Sequence, residues 1–356
     1  MKEIKISIAG ASGITGIELI KILDRHKYSR ILTALSRTFD GRKISDVFKN
    51  TLNLDRSKDI YFKNYFSASD IKESDLIFLC LPPGKSMEYV KYLVENNYNG
   101  KIIDLGSDFR LNNSDIYEEW YKEKHILQDM LPRFVYGLPE LNKQAIESAD
   151  YIANPGCYPT SAILALAPLL KMKGLKFDSI TIDSKSGVSG AGRKLKDEYL
   201  FLNISDNFYA YSPLKHRHIP EIEQELNKIS GLETKISFTP HLLPVSRGIF
   251  TSIYLGNVNV SELKEAENKI KTAFTDFYSN KVFIKFLGDD IPRISNVAGT
   301  NSAHIGFLID YRTSVIKLFC TIDNILKGAS GQAVQNMNLM FGLSEEEGLG
   351  MQGIYN

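Results

Sequence analysis

Apolar residues follow two different patterns on either side of residue 150. In the first part, continuous apolar runs alternate with amphipathic stretches of helical period. Continuous runs are typical of strands buried on both faces of a parallel sheet, and the amphipathic stretches are typical of the helices that cover it. The pattern predicts a doubly wound α/β Rossmann domain. The predicted strands are 4–10, 31–36, 76–83 and 101–107, and the predicted helices are 15–26 and 86–97.

Closely spaced strands with few intervening helices dominate after residue 150. This succession is typical of an α+β domain with a mainly antiparallel sheet and helices on one face. The predicted strands are 179–186, 235–245, 249–258, 282–287, 304–311 and 315–323, and the predicted helices are 161–171, 220–229 and 261–278. A last predicted helix, 328–343, is placed with the first domain. The predicted domains are therefore 1–150 with 327–356, which binds the nucleotide, and 151–326, which carries catalysis and subunit contacts.

The charges of the chain nearly cancel, because 43 basic and 42 acidic side chains leave a formal net charge of +1. A nucleic-acid-binding protein would show a clear basic excess, so we expect small substrates or protein partners and no nucleic acid. No apolar run reaches about 18 residues, the length of a membrane span, and the start does not resemble a signal peptide. The three cysteines are too few and too scattered for a disulfide framework or a zinc ribbon. These features predict a protein of the reducing cytoplasm.

A glycine-rich loop, GASGITG, connects the first predicted strand to the first predicted helix. Its glycines suit a tight turn, a close approach to a pyrophosphate and close packing of helix on strand. The start of the helix offers backbone N–H groups to the phosphates. The loop therefore predicts a dinucleotide site, with a structural glycine turn as the alternative. The predicted cofactor contacts in it are Gly10, Ala11, Ser12, Gly13, Thr15 and Gly16.

The end of the second predicted strand indicates which nucleotide the loop binds. In NAD enzymes an acidic residue about 20 residues beyond the loop binds the ribose hydroxyls. This chain has Ser36 and Arg37 at that place. A hydroxyl and a guanidinium suit the 2′-phosphate of NADP, which a carboxylate would repel. NADP is the predicted cofactor, and the nearby Asp40 keeps NAD as the alternative.

Cys157 lies between a Pro-Gly turn and an apolar stretch, in the segment NPGCYPT. Pro159 suits the first turn of a helix, so we expect Cys157 at the helix N-terminus. The partial positive charge there favours the thiolate, and the turn at 154–156 directs the sulfur outward. The segment predicts a catalytic nucleophile, with a small buried residue at a helix cap as the alternative. Cys80 and Cys320 lie within predicted strands and are expected in the core.

His216 and His218 lie two residues apart, just before Pro220 and a predicted helix. In an extended segment, residues i and i+2 point the same way, so both imidazoles would face one cleft. One of them would be the proton partner of the thiolate. The alternatives are a metal site, which lacks a third ligand at a suitable spacing, and a solvated surface loop. Lys215 and Arg217 add positive charge that would attract an anionic substrate.

Two further segments carry groups that suit anions. The segment SKSGVSGAGRK, residues 184–194, combines serines, glycines and two cations, and such loops present N–H groups and hydroxyls to anions. Arg110 follows a predicted parallel strand, where the ligands of doubly wound sheets collect. Arginine suits bidentate contact with phosphate or carboxylate. The alternatives are an ordinary hairpin connection and a solvated arginine.

Five motifs together resemble one enzyme family. GASGITGIEL, NPGCYPT, SGVSGAGR, HRHIPEIEQEL and KGASGQAVQNMN occur in the order found in N-acetyl-gamma-glutamyl-phosphate reductases, and the resemblance covers nearly the whole chain. It implies a fold similar to aspartate-semialdehyde dehydrogenase, NADPH as the cofactor, no metal, and a homodimer or homotetramer. One small departure is Ala303, where many members carry cysteine.

The resemblance also implies the roles of individual residues. Cys157 would be the nucleophile, and His216 or His218 would carry the proton. Further cofactor contacts would be Pro82, Ser189, Gly190, Gln332 and Asn336. Substrate contacts would be Arg110, Asn154, Ser186, Gly192, Arg193 and Arg217.

The implied reaction is the reduction of an acyl phosphate through a cysteine thioester, which gives N-acetylglutamate 5-semialdehyde and phosphate in arginine biosynthesis. The nearest alternative is a sister reductase with the same chemistry, acting on aspartyl, N-succinylglutamyl or carrier-linked aminoadipyl phosphate. A cysteine hydrolase or acyltransferase would not need the glycine-rich loop. A non-catalytic NADP sensor would not need Cys157.

Overall fold

The computed structural model describes residues 3–51, 53–172, 174–193, 196–258, 260–350 and 353. Within these residues the chain divides into two compact units. The first unit comprises the chain up to Pro155 together with Ala329–Gly350, and the second comprises Gly156–Gly328. In the described part of the chain, each unit contains one seven-stranded sheet.

The first unit is a doubly wound α/β domain. Its strands are β1 (Ile4–Ala9), β2 (Ser29–Leu35), β3 (Phe62–Lys63), β4 (Leu76–Leu79), β5 (Lys101–Asp104), β6 (Phe134–Tyr136) and β7 (Tyr151–Ala153). Its helices are α1 (Ile14–Arg25), α2 (Ile44–Val47), α3 (Ala68–Glu73), α4 (Lys85–Glu95), α5 (Ser114–Tyr121), α6 (Pro139–Glu147) and α11 (Gly331–Met340). The strand order is β3-β2-β1-β4-β5-β7-β6, and neighbouring strands run parallel. This confirms the fold class predicted for the first part of the chain.

Strands β1 and β4 form the buried centre of this sheet. Ile6, Ile8, Ile77 and Phe78 are all completely buried, as expected where helices cover both faces of a parallel sheet. The sequence pattern did not predict β3, β6 and β7, which have only two or three residues each. Runs of that length are too short to show a period.

The strand order determines where this unit can bind a ligand. The chain passes from β1 to β2 on one side of β1 and later reaches β4 on the other side. The carboxyl ends of β1 and β4 therefore border the crevice in which doubly wound sheets bind ligands. The glycine-rich loop follows β1 at this edge, and residues 80–84 follow β4.

The second unit is an α+β domain. Its strands are β8 (Ser179–Gly187), β9 (Tyr209–Ala210), β10 (Ser237–Leu243), β11 (Ile249–Gly256), β12 (Ile284–Phe286), β13 (Ala303–Asp310) and β14 (Val315–Ile322). Its helices are α7 (Cys157–Lys171), α8 (Phe201–Ile204), α9 (His218–Ser230) and α10 (Val260–Tyr278). The strand order is β12-β13-β14-β11-β8-β10-β9.

The sheet of the second unit is mixed. The pairs β8–β11, β11–β14, β13–β14 and β9–β10 are antiparallel, as predicted, but β8–β10 and β12–β13 are parallel. Helix α9 lies between β8 and β10 in the chain, and a helical crossover returns the chain in the same direction. The apolar pattern gives the strands but not the direction in which they pair.

Helices cover one face of this sheet. Helix α7 packs on β11 and β14, and α9 and α10 pack against α7. Every residue of α7 from Tyr158 to Leu169 is buried, because neighbours surround this helix on all sides. The core therefore holds the N-terminus of α7, which begins at Cys157, in a fixed position. None of the helices in the described part of the chain is both long and apolar enough to cross a membrane.

Candidate active site

The glycine-rich loop after β1 requires glycine at two of its three positions. Gly10 has a φ of +77°, and a Cβ there would lie 2.2 Å from the carbonyl oxygen of Cys80. A Cβ at Gly16 would lie 2.6 Å from the carbonyl oxygen of Gly10. Gly13 is the N-cap of α1 and has no side chain with which to cap the first N–H groups. The loop thus brings an uncapped helix N-terminus to the ligand-binding edge, where an anion is stabilised.

Ser36 and Arg37 follow β2 at the same edge of the sheet. Ser36 is buried, and its hydroxyl donates to the hydroxyl oxygen of Ser12 over 2.8 Å. This bond ties the end of β2 to the glycine-rich loop. Arg37 is exposed directly after it, and Asp40 is exposed three residues later. Ser36 therefore helps to hold the glycine-rich loop in place, and Arg37 is the exposed cation beside it.

The loop after β4 carries Cys80 and the exposed Pro82. Cys80 is partly exposed as a residue, in contrast to the predicted core position. Its thiol is nevertheless shielded, and burial raises the pKa of Cys80 to about 12 despite a hydrogen bond with Thr15. Cys320 is fully buried in β14 as predicted, and burial raises its pKa as well. Both thiols stay protonated at neutral pH and are poor nucleophiles.

Two amide side chains of α11 are fully buried in the first unit. The Nε2 of Gln332 and the Nδ2 of Asn336 donate to the carbonyl oxygen of Gly137 over 3.0 and 2.8 Å. Asn336 also donates to the Oδ1 of Asn154 over 3.0 Å. The amide oxygens of Gln332 and Asn336 are buried and accept no hydrogen bond from the described residues. A buried acceptor without a donor costs free energy, so these two oxygens suit a ligand with N–H groups.

Arg110 is buried inside the first unit, so the alternative of a solvated arginine is wrong. Its Nε donates to the carbonyl oxygen of Asn154 over 2.8 Å, and its Nη2 donates to that of Leu105 over 2.9 Å. The guanidinium therefore joins the loops that follow β5 and β7. Asp104, at the end of β5, lies close enough to Arg110 for the positive charge of the guanidinium to act on its carboxyl group. Burial and the neighbouring Asp108 raise the pKa of Asp104 to about 7.

Cys157 is the first residue of α7, as predicted. It is partly exposed, and its N-cap, Gly156, has no side chain to cover the first N–H groups of the helix. The Gly156 N–H donates to the Oε1 of the buried Glu221 over 2.8 Å. Glu221 belongs to the first turn of α9, so this bond joins the starts of α7 and α9. The partial positive charge of an uncapped helix N-terminus favours a thiolate.

His216 and His218 lie together, but not on an extended segment. Arg217 has helical backbone angles and α9 begins at His218, two residues before Pro220. The two rings are 4.8 Å apart between centroids. The Nδ1 of His216 accepts the N–H of His218 over 3.2 Å, which satisfies one of the N–H groups at the helix start. The two imidazoles lie close together, as expected. The backbone that brings them together is the start of a helix, so the expected extended backbone is wrong.

Both imidazoles contact the ring of Tyr158, the residue that follows Cys157 in the chain. The ring of Tyr158 lies 5.7 Å from that of His216 and 5.8 Å from that of His218, between centroids. Tyr211 and Phe238 also contact the ring of His216. Burial, followed by the charge of Arg217, lowers the pKa of His216 to about 4. His216 is therefore neutral at neutral pH and is enclosed on several sides.

The loop after β8 forms a tight array of serines and glycines. Ser186 is buried, and its hydroxyl donates to the carbonyl oxygen of Gly187. The hydroxyl oxygen of Ser189 accepts from Asn324 over 2.9 Å, and a Cβ at Gly190 would lie 3.1 Å from the Oγ of Ser186. The loop then turns at Gly192, which has a φ of +78°. Arg193 follows, and partial burial lowers its pKa. Lys194, the second predicted cation, lies outside the described residues.

Two residues close to Cys157 were not singled out in the sequence. Gly328 lies in a π-helical turn, Leu326–Ser330, and a Cβ at this position would lie 2.8 Å from the Cβ of Cys157. Asp323 is fully buried, and its carbonyl oxygen accepts the Gly328 N–H over 2.9 Å. Gly328 belongs to the motif KGASGQ, but nothing in the spacing of the sequence predicts its contact with a cysteine 171 residues earlier.

No group of three histidine, cysteine, aspartate or glutamate side chains among the described residues is arranged to hold a metal ion.

Two family models match almost the whole chain. A model described as semialdehyde dehydrogenase, NAD binding domain, matches residues 5–149, and one described as semialdehyde dehydrogenase, dimerisation domain, matches residues 157–324. Solved structures of aspartate semialdehyde dehydrogenase share this fold. The enzyme from Vibrio cholerae has a TM-score of 0.69 at 18% identity, covering 96% of this chain and 99% of its own. The enzyme from Candida albicans, solved with NADP, has a TM-score of 0.68 at 19% identity with the same coverage.

Curated relatives are much more similar in sequence. N-acetyl-gamma-glutamyl-phosphate reductase from Pelotomaculum thermopropionicum is 43% identical over 359 residues, covering 99% of both chains. The enzymes of that name from Caldicellulosiruptor bescii and Alkaliphilus metalliredigens are 43% and 42% identical, again over 99% of both chains. This chain is therefore an oxidoreductase that belongs to the N-acetyl-gamma-glutamyl-phosphate reductase family.

Proposed function

We propose that this chain reduces N-acetyl-gamma-glutamyl phosphate to N-acetylglutamate 5-semialdehyde and phosphate, the third step of arginine biosynthesis, with Cys157 as the nucleophile. The observation that carries the proposal is the position of Cys157 as the partly exposed first residue of α7. The two other cysteines have raised thiol pKa values and lack this setting.

The first step forms a thioester. The Cys157 thiolate attacks the carbonyl carbon of the acyl phosphate, and the bond from that carbon to the phosphate oxygen breaks. Backbone N–H groups at the start of α7 stabilise the negative charge that develops on the carbonyl oxygen. Ser186, Gly192 and Arg193 are proposed to hold the phosphate as it leaves, together with Arg217, while Arg110 and Asn154 shape the loops of the first unit.

The cofactor supplies a hydride to the thioester carbon when it is bound. The first unit fits NADP through the uncapped start of α1, where a pyrophosphate is stabilised, and through Arg37, which suits a 2′-phosphate. The buried amide oxygens of Gln332 and Asn336 suit the N–H groups of a carboxamide such as that of nicotinamide. Pro82, Ser189 and Gly190 remain proposed cofactor contacts.

Reduction of the thioester leaves a thiohemiacetal on Cys157, and the last step releases the aldehyde from it. The thiohemiacetal oxygen gives its electrons to the carbonyl bond, and the carbon–sulfur bond breaks to restore the Cys157 thiolate. We assign the removal of the proton from the Cys157 thiol before attack, and the proton transfers at the thiohemiacetal oxygen, to His218 and not to His216. The Nδ1 of His216 is engaged with the His218 N–H, and its pKa of about 4 leaves it a weak base. His218 begins α9, whose first turn is bonded to the residue before Cys157.

We also propose that copies of this chain associate through the sheet of the second unit, as a homodimer or homotetramer. Phe250, Tyr254 and Phe319 alternate with the buried residues of β11 and β14, so they project from the face opposite α7. These rings are only half-buried. The open face of an antiparallel sheet is normally polar, so aromatic rings there suit burial against a second copy. The family model for this unit is described as a dimerisation domain.

The reaction run in reverse tests the proposal. Wild-type protein with N-acetylglutamate 5-semialdehyde, phosphate and NADP should form NADPH only when phosphate is present. The Cys157→Ser variant should lose this activity and still bind NADP, as measured by the change in nucleotide or protein fluorescence. Near-normal turnover of the variant would rule out the thioester. Faster turnover with the semialdehydes of the sister reductases would reassign the substrate.

A further inference from the structure

A loop that the proposed reaction does not use lies beside the loop after β8. The N–H groups of Gly187, Val188 and Ser189 donate to the carbonyl oxygens of Gly248, Val245 and Ser246 over 2.9, 2.9 and 3.1 Å. A Cβ at Gly187 would lie 2.8 Å from the carbonyl oxygen of Val245, so only glycine permits this approach. The pairing places Arg247 next to the residues proposed to hold the phosphate.

The guanidinium of Arg247 is anchored on a buried carboxylate. The Oδ2 of Asp323 lies 3.4 Å from the Nη1 of Arg247 and accepts the N–H of Gly299 over 2.7 Å. The Oδ1 of Asp323 accepts the N–H groups of Ile325 and Leu326 over 2.8 and 3.1 Å. Three backbone N–H groups therefore donate to the carboxyl oxygens of Asp323 besides its contact with Arg247. The contact with Arg247 is longer than the roughly 2.7–2.9 Å of a strong charge-assisted hydrogen bond.

The same aspartate connects Arg247 to the nucleophile. The carbonyl oxygen of Asp323 accepts the N–H of Gly328, which lies against the Cβ of Cys157. Arg247 is thus connected to Cys157 through two residues, Asp323 and Gly328. This position suits a substrate group that lies a few bonds from the carbon under attack.

We infer that Arg247 binds the carboxylate that the substrate carries in addition to its acyl phosphate, and that Asp323 positions the guanidinium. The inference rests on the proposed function. A planar guanidinium can contact Asp323 through one edge and a second carboxylate through another. The pair of Arg247 and Asp323 has a net charge near zero, which suits a singly charged carboxylate better than a phosphate dianion. The side chain of Arg247 is 20% exposed, so solvent screens its charge only partly.

The test compares two aldehydes that differ only in this carboxylate. These are N-acetylglutamate 5-semialdehyde and 4-acetamidobutanal, each oxidised in the presence of phosphate and NADP. Wild-type protein should prefer the first. In Arg247→Ala, kcat/KM for the first aldehyde should fall by roughly 10- to 100-fold, the contribution of a hydrogen bond between charged groups, mainly through KM. The value for 4-acetamidobutanal and the KM of phosphate should not change.

Two further variants make the result specific. Arg247→Lys should keep part of the preference for the aldehyde with the carboxylate, because lysine retains the positive charge but lacks the planar guanidinium with its paired N–H donors. Arg312→Ala, which removes an exposed arginine in the turn between β13 and β14, should behave as wild type. An equal loss for both aldehydes would show that Arg247 is only structural, and a raised KM for phosphate would show that it binds the phosphate. Either result overturns the inference. If wild-type protein oxidises neither aldehyde, the proposed function fails before any variant is compared, and the inference falls with it.

Discussion

Replacing Gly328 with alanine would place a methyl group against the nucleophile. The new Cβ would lie 2.8 Å from the Cβ and 3.3 Å from the Cα of Cys157, and 3.3 Å from the carbonyl oxygen of Asp323. Carbon atoms in ordinary contact are about 3.5–4.0 Å apart, so one side must move by about 1 Å. All of these neighbours are backbone or Cβ atoms, and none can rotate away as the end of a flexible side chain can.

The cost of this shift divides between stability and catalysis. Helix α7 is buried along almost its whole length, so its first residue cannot move far without straining the core. Overpacking of this kind costs about 1–3 kcal/mol of the free energy of unfolding. A displacement of about 1 Å in a reacting group lowers the rate by about 100-fold. We therefore expect Gly328→Ala to lower kcat by between 10- and 100-fold and to leave the affinity for NADP unchanged.

Three measurements on one preparation check this expectation. They are kcat in the phosphate-dependent oxidation of the aldehyde, the rate of Cys157 alkylation, and the midpoint of thermal unfolding. Gly350→Ala is the matched control, because a Cβ at Gly350 meets nothing within 4 Å. Wild-type kcat and alkylation rate in a folded Gly328→Ala protein would refute the reasoning, since they would show that the turn yields without disturbing Cys157.

Three other predictions follow from the imidazoles and the open sheet face. His218→Ala should lower kcat by about 100- to 10,000-fold, the usual contribution of a proton carrier. His216→Ala should mainly lower the stability of the fold. A larger loss of kcat in His216→Ala than in His218→Ala would reverse the assignment. The pKa of His216 is about 4 in the folded chain and near 6.5 when unfolded, so the unfolded state gains a proton first as the pH falls. The free energy of unfolding should therefore decrease between pH 6.5 and pH 4, by at most about 3 kcal/mol from this group, and urea titrations of His216→Gln should show a smaller decrease; an unchanged pH dependence would contradict this. Phe319→Glu should dissociate the assembly, as measured by the mass in light scattering. Leu232→Glu, at an exposed residue after α9, should leave the assembly intact. An intact assembly in Phe319→Glu would place the interface elsewhere.

The sequence predicted those features of the site that depend on neighbouring residues. Gly10 is required by its left-handed backbone, and the loop between a strand and a helix is visible in the glycine spacing. Cys157 stands at a helix start because Gly156 precedes it and an apolar helix follows it. Both are local effects, so the order of residues is enough to predict them.

Two backbone features could not be predicted from the apolar pattern. The two histidines were expected on extended backbone, but the helix begins earlier, because the ring of His216 satisfies the N–H of His218. A mainly antiparallel sheet was expected in the second unit and is present, but the expectation did not include the crossover through α9 that makes β8 and β10 parallel. Neither a single N–H hydrogen bond nor a helical crossover changes the spacing of apolar residues along the chain, so the apolar pattern could not predict either feature.

What the sequence alone determined is the class of each unit, the glycine-rich loop and the helix start at Cys157, because apolar period and turn chemistry act over a few residues. Only the tertiary structure decided which residues surround that cysteine. Glu221, Asp323 and Gly328 lie 64 to 171 residues from Cys157 in the chain, and their contacts exist because α9 packs on α7 and β14 ends beside it. Close packing selects such neighbours by shape, and shape is a property of the folded core and not of any segment of the sequence.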